Sequence, residues 1–313
     1  MLRVKTFHQL LALVLVLMAS SGAQACLFFC NNTSDYANTR YPVVLVTGIT
    51  GTPQSIGFIP TEYFYGIEAD LESAGARVHV ASVSPVHSDF VRGEQLNTFV
   101  DHVLALEGAG KVHLIGHSQG GLTSRYVAGI EPHKVASVTT IGTPNDQPEL
   151  IDFIAKEGAL ELINLGLLQT LGELASLIYG QPMTSDAQAV IEYAREFDEF
   201  NRLFPQGLPQ QFCGEGEPVV NGVRYYSMSG NRLYTAPWDP SDALMGVLSI
   251  FAGSDSDGLV GRCESHLGKV LRDDYNMNHL DEVNGLYGMV GPFSTNPKTV
   301  FRTHLNRLKN LGL

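Results

Sequence analysis

Positive charge is scarce in this chain: 20 Lys and Arg stand against 32 Asp and Glu, a net charge of −12. Nucleic acid and anionic membranes are bound by Lys and Arg that neutralise phosphates, so this balance argues against both and leaves neutral lipid or small uncharged substrates open. Charged residues of either sign make up only 17% of the 313 residues, and there are four cysteines. So few cysteines exclude a disulfide scaffold, and the 32 glycines follow no collagen period. With 44% hydrophobic residues the chain can bury a sizeable core, which excludes general disorder. The apolar run Leu10 to Met18 is too short to span a membrane. It follows Arg3 and Lys5 and ends at Ala23-Gln24-Ala25, the layout of a secretory signal peptide over residues 1–25. Its removal takes the net charge to −14.

Export permits disulfides. Cys26 and Cys30 form a close pair, and Cys213 and Cys263 a distant one. No second close pair or matching His pair has zinc-ligand spacing, so a Cys213–Cys263 bridge is favoured; Cys26 and Cys30 either bridge each other or stay free. Residues 26–40 read as a flexible, polar N-terminal segment, and residues 41–313 as one domain.

Within that domain strand and helix patterns alternate. Tyr41 to Val46, Ala76 to Val83, Lys111 to Ile115 and Val135 to Ile141 are short apolar runs closed by turn residues, as strands buried on both faces are. Helical patterns lie between them: Thr61 to Ala74, the series Leu96, Phe99, Val100, Val103 and Leu104 ended by Gly108, and the stretch from Leu122 onward. This order predicts βαβ units and a mostly parallel sheet flanked by helices. Gly222 to Ser229 reads as a further strand. Residues 149–180 differ, being Leu-rich and amphipathic, with Leu160, Ile163, Leu167, Leu171, Leu174 and Ile178 on one face; they suit either a core helix or a lid over an apolar cleft.

The sharpest chemical signal is Gly116-His117-Ser118-Gln119-Gly120-Gly121, directly after the strand Val112-His113-Leu114-Ile115 and before a helix. Glycines two residues either side of a serine let a strand turn sharply into a helix and push the hydroxyl out over the sheet, which is a nucleophile elbow. Serine needs a histidine to take its proton and a carboxylate to orient that histidine, and in this fold they follow the serine in the order acid, then histidine. His133 follows too closely to leave room for an acid-bearing strand. Asp255-Ser256-Asp257-Gly258, after the apolar run Val247 to Ala252 taken as the strand that presents the acid, offers two candidates, of which Asp257 beside its turn glycine is the better.

The elbow, the run Asp257-Gly258-Leu259-Val260-Gly261-Arg262-Cys263 and the run Met277-Asn278-His279-Leu280-Asp281-Glu282-Val283-Asn284 together resemble the true lipases secreted by Pseudomonas, Burkholderia and related bacteria. The resemblance covers nearly the whole chain from Tyr41 to Asn310. It implies an α/β-hydrolase fold with a helical lid near 149–180. It also implies Ser118 as nucleophile, Asp257 as orienting acid, His279 as general base and a disulfide between Cys213 and Cys263. His266 is then structural. The oxyanion hole would use the backbone N–H groups of Ile49 and Gln119. One structural calcium ion would be held by the carboxylates of Asp239 and Asp281 and the carbonyls of Gly285 and Met289; read alone, Asp239 is as well explained as a helix N-cap. The family carries His-Gly before an apolar residue in its oxyanion loop, whereas this chain has Thr47-Gly48-Ile49 and loses the anchoring histidine. The expected activity is hydrolysis of neutral-lipid esters at an oil–water interface by a monomeric enzyme, secreted through the periplasm with a lipase-specific foldase as partner. The alternatives are an esterase or polyester hydrolase of the same fold, or a catalytically dead lipid-binding homologue.

Overall fold

Strand β1 (Val43–Val46) is buried at every position, and its side chains divide between two cores. Val44 and Val46 join Leu96, Leu114 and Phe200 on one face, while Val43 and Leu45 join Ile67, Ile115 and Phe301 on the other. That alternation is what period-2 geometry requires of a strand covered on both sides. In this computed structural model, residues 34–49, 54–56, 59–84, 87–146, 148–149, 152 and 187–313 are described, and Asp35–Leu313 makes one compact unit.

After β1, strands β2 (Gln54–Ile56) and β3 (Ile59–Thr61) pair as a small antiparallel hairpin. Helix α1 (Ile67–Ser73), strand β4 (Val78–Ala81) and helix α2 (Asp89–Glu107) follow. Next come β5 (Val112–His117), α3 (Gln119–Ile130) and β6 (Val135–Ile141). The later part holds α4 (Ala187–Leu203), β7 (Val219–Val220), β8 (Val223–Gly230), α5 (Pro240–Ala252), β9 (Lys269–Tyr275) and α6 (Pro297–Asn310). The main sheet runs β4-β1-β5-β6-β8, with β9 beside β8. All these pairs are parallel; only short β7 lies antiparallel to β8. The mostly parallel sheet expected from the sequence is therefore present, with β5 at its centre.

Three boundaries differ from expectation. The helix expected over Thr61 to Ala74 begins only at Ile67, after Gly66 in a left-handed conformation (φ 61°), because Ile59–Thr61 is drawn into the hairpin. The run Val247 to Ala252, read as a strand presenting the acid, is the end of helix α5; Asp257 sits in the turn beyond that helix. Of the segment 26–40, expected to be flexible, residues 34–40 are described: Ala37 and Thr39 are buried, the other five are exposed, and the N–H of Arg40 bonds the carbonyl of Leu313. Residues 1–33, with Cys26, Cys30 and the expected signal peptide, lie outside the described residues. So does the 149–180 segment apart from Glu149 and Asp152. Among the described residues no helix is long and apolar enough to cross a membrane.

Cys213 and Cys263 form a disulfide, as expected. Next to it, Glu264 ties its own loop to the one that follows β6. Its carboxylate accepts from the N–H groups of Gly261 (2.7 Å) and Glu149 (2.8 Å), and its carbonyl accepts from Asn145 and Asp146. Burial pushes its pKa up to about 7 from 4.5. A carboxyl raised on folding favours the native state fully below about pH 4.5, and that contribution is lost as pH rises through about 7. The Glu264→Gln protein should therefore show a smaller change in melting temperature between pH 5 and pH 8 than wild type, measured by calorimetry. Parallel pH profiles would rule Glu264 out as a source of that dependence.

Candidate active site

Ser118 stands at a sharp turn from strand to helix. Strand β5 ends at His117, and Ser118 caps α3 with φ 54° and ψ −132°, a region that non-glycine residues rarely adopt. A side chain at Gly116 would strike the backbone of Gly120, and one at Gly120 the carbonyl of Val46. The turn is thus too tight for anything but glycine at either place. The Ser118 carbonyl accepts from the Thr143 hydroxyl (2.8 Å), and its N–H bonds the Ile141 carbonyl (2.9 Å).

His279 is joined to Asp257 twice. Its ring Nδ1 lies 2.7 Å from Asp257 Oδ2, and its backbone N–H donates to the Asp257 carbonyl at 2.9 Å. The other carboxylate oxygen accepts from the N–H groups of Leu259 and Val260, each at 2.8 Å. Asp257 is fully buried and His279 is 3% exposed. With Nδ1–H given to the carboxylate, the other ring nitrogen is left to accept a proton.

Four side chains that the sequence did not single out complete the arrangement. The His117 ring lies beside that of His279, with centroids 4.5 Å apart, and its Nε2–H donates to the His279 carbonyl (3.0 Å). Its Nδ1 accepts from the Tyr63 hydroxyl at 2.6 Å. Burial first, then the neighbouring His279, hold its pKa well below the usual histidine range, so His117 is neutral. Glu282 is a second buried carboxyl, 3.2 Å from His117 Nε2 and 4.0 Å from His279 Nδ1, accepting from the Gly230 N–H at 2.6 Å. Burial and then the charge of Asp257 push its pKa well up, which favours its neutral form. At the end of β6, Gly142 has φ 51°, and a Cβ there would overlap Glu282 Oε2 and lie 3.0 Å from Asp257 Oδ2. Of these four, His117 lies inside the elbow motif and Glu282 inside the His279 motif; Tyr63, and Arg92 in the loop contacts that follow, carried no local signal.

Arg92 anchors the loop that carries Thr47 and Gly48. Its guanidinium, fully buried, donates to the carbonyls of Thr47 (2.6 Å) and Gly48 (3.1 Å), to Thr123 Oγ1 (3.2 Å) and to the Ser84 carbonyl. This fork holds the loop that leads to Ile49. Gly48 lies so close to Ser118 Cβ and the Tyr63 hydroxyl that a side chain there would clash. Gln119, the first residue of α3, is buried, and its side-chain amide donates to the His87 carbonyl (2.8 Å). Gly48, the residue before Ile49, and Gln119 therefore adjoin Ser118 from two sides, one across the loop and one along the chain.

Asp239 and Asp281 are both buried. Asp239 caps α5, accepting from the Ser241 N–H at 2.8 Å, and Asp281 accepts from the Asn278 N–H at 3.2 Å. Burial pushes Asp281 up to about 6, and the charges of Asp239 and Asp242 add to that rise. Burial likewise raises Asp239, with Asp242 contributing. Buried carboxylates that repel one another form an oxygen-rich place suited to a hard cation. Gly285, buried, opens the single helical turn Gly285–Gly288, and Met289, half-buried, follows it. A different group, His117, His279 and Glu282, brings metal-capable atoms within 4.8 Å of one another. Two imidazoles and one carboxylate do not suit calcium, and both rings are already engaged in the bonds above. His266 bonds the Gly214 carbonyl (2.9 Å) and Asp273 (3.0 Å) beside the disulfide, the structural place expected for it.

Residues 41–160 match the family model of the alpha/beta hydrolase fold. A Vibrio cholerae triacylglycerol lipase is 46% identical over 288 residues, covering 89% of this chain and 90% of the relative. Triacylglycerol lipases of Burkholderia plantarii and Pseudomonas fragi are 39% and 38% identical, each over 89% of this chain. Among solved structures, the mature Bacillus licheniformis lipase BlEst2 superposes with a TM-score of 0.58 over 88% of this chain and 94% of its own; at 18% identity it supports the fold alone. On identity across most of its length, the chain belongs to the bacterial triacylglycerol lipases, carboxylic ester hydrolases of the α/β-hydrolase fold.

Proposed function

We propose that the protein is a secreted lipase that cleaves the ester bonds of triacylglycerols through an acyl-enzyme on Ser118. The observation that carries this reading is the doubly bonded His279–Asp257 pair, adjoining through His117 a serine held in a strained strand-to-helix turn. His279 takes the Ser118 proton as the hydroxyl oxygen attacks the ester carbonyl, and Asp257 stabilises the imidazolium that forms. The N–H groups of Ile49 and Gln119 hold the negative oxygen of the tetrahedral intermediate. As it collapses, His279 protonates the departing alcohol, and a water activated by the same ring then releases the fatty acid. His117 fixes His279 from behind through its carbonyl, and Arg92 fixes the loop of Ile49.

Asp239 and Asp281, with the carbonyls of Gly285 and Met289, would hold one calcium ion; when bound it supplies positive charge between buried carboxylates and stiffens the loop just beyond His279. EDTA is therefore expected to lower the melting temperature by several degrees and added calcium to restore it; a melting temperature that EDTA leaves in place would count against these ligands. The 149–180 segment is read as the lid, the 1–25 segment supports export through the periplasm with foldase help, and the mature enzyme acts as a monomer.

The discriminating experiment compares emulsified triolein with dissolved tributyrin and labels Ser118 with a fluorophosphonate. Hydrolysis of both with labelling is the expected result. Activity on tributyrin alone would make the protein an esterase, and a folded protein that refuses the label would make it a binding protein.

A further inference from the structure

Asp89 is the first residue of helix α2 and Gln119 the first of helix α3, and both side chains are buried. The Gln119 side chain lies within hydrogen-bonding reach of the Asp89 carboxyl. Its amide N–H2 donates to the His87 carbonyl at 2.8 Å and not to Asp89 Oδ1, which has no hydrogen-bond partner; Gln119 Oε1, also buried, has none either. Two buried oxygens that can only accept are costly to leave side by side, and a single proton satisfies both.

The surroundings of Asp89 favour that proton. Burial pushes its pKa up to about 7 from 3.8, with Glu196 on α4 adding to the rise, against the charges of Arg92 on its own helix and Arg125 on α3 and the hydrogen-bonding pull of Gln119. The start of α2 also favours an anion, through its backbone N–H groups. The Arg92 guanidinium is committed to the oxygens of Thr47, Gly48, Ser84 and Thr123. Gln119 matters because its N–H is one of the two donors assigned above to the negative oxygen of the tetrahedral intermediate. Resting on that reading, we propose that Asp89 is a positioning residue whose carboxylic acid donates to Gln119 Oε1. With the His87 carbonyl holding the amide N–H2, both ends of the Gln119 side chain are then fixed, and the first residue of α3 keeps its N–H aimed at the reacting carbonyl. Ionisation of Asp89 removes the donor, sets two acceptors against each other and lets Gln119 turn.

Asp89→Asn carries a donor at every pH, whereas Asp89→Ala carries none. Alanine should lower kcat on dissolved tributyrin about tenfold with KM little changed, a smaller loss than removing an oxyanion donor outright, and asparagine should recover most of it. A carboxyl raised on folding stabilises the native state fully below about pH 3.8, and that contribution is lost as pH rises through about 7. Relative to wild type, the asparagine variant should therefore gain in both kcat and melting temperature between pH 5 and pH 8; His279 titrates in both proteins and drops out of the ratio. Infrared difference spectra, wild type minus Asp89→Asn, should show at pH 5 the carbonyl band of a protonated carboxylic acid, shifted in heavy water and faded by pH 8. Wild type that hydrolyses tributyrin but lacks the band would overturn the inference and leave the hydrolase reading standing. The band in a protein that hydrolyses no ester would overturn that reading, and the catalytic role of the bond with it. Asparagine as damaging as alanine would show that the charge of Asp89 matters rather than its proton, and would overturn the inference as well.

Discussion

Ser118→Gly is expected to abolish hydrolysis of triolein and at the same time to melt higher than Ser118→Ala. Both substitutions remove the oxygen proposed to form the acyl-enzyme, and loss of a serine nucleophile costs roughly 10⁴- to 10⁶-fold in kcat. They part company in stability. At φ 54° and ψ −132° a Cβ is strained, and alanine keeps that strain whereas glycine does not. Strain of this kind is worth about 1–3 kcal/mol, and the extra freedom of glycine in the unfolded chain takes back up to about 1 kcal/mol. The remaining difference is about 1 kcal/mol, a few degrees for a chain of this size. Calorimetry on the two variants decides the point: a glycine variant no more stable than the alanine variant would mean the elbow stores no strain, and retained turnover in either would remove Ser118 as the nucleophile.

Arg92→Ala should be the most damaging substitution outside the reacting groups. It strips donors from the carbonyls of Thr47, Gly48 and Ser84 and from Thr123, in a place with no solvent to replace them. Breaking such a buried, charge-assisted set costs about 3–5 kcal/mol. Because the same bonds set the loop of Ile49, kcat should also fall by the order of 10²-fold, with KM for dissolved tributyrin little changed. Arg92→Lys should recover stability better than rate, since an ammonium reaches one or two of these oxygens but cannot copy the fork. Urea unfolding and tributyrin kinetics separate the two effects; a folded alanine variant with wild-type kcat would show that another group holds the loop.

Ser118, Asp257 and His279, proposed as nucleophile, acid and base, stood out in the sequence because each sits in a short run with local meaning: glycines around Ser118, a turn glycine after Asp257, a dense polar run around His279. What holds them was not legible. Arg92 bonds Thr47 across 45 residues, and His117 meets the His279 carbonyl across 162. No local period encodes pairs so distant. The misreading of Val247 to Ala252 has a physical cause as well. A helix with buried apolar residues such as Leu248 inside and exposed ones such as Ile250 outside loses the polar face that marks a helix, and the run then looks like a buried strand. The hairpin Gln54–Ile56 with Ile59–Thr61 escaped notice because three-residue strands are too short to show alternation.

The disulfide closes a ring across a separation of 50 residues, from Cys213 to Cys263. That ring contains Asp239 and Asp257 but neither Ser118 nor His279. The acid thus reaches its histidine as part of a covalently closed piece, while the histidine arrives on the open tail that follows. Closing such a ring removes on the order of 4 kcal/mol of loop entropy from the unfolded chain. Without the bond the docking of Asp257 onto His279 would have to supply that ordering itself, so the pair assembles less favourably in the reduced chain than in the oxidised one.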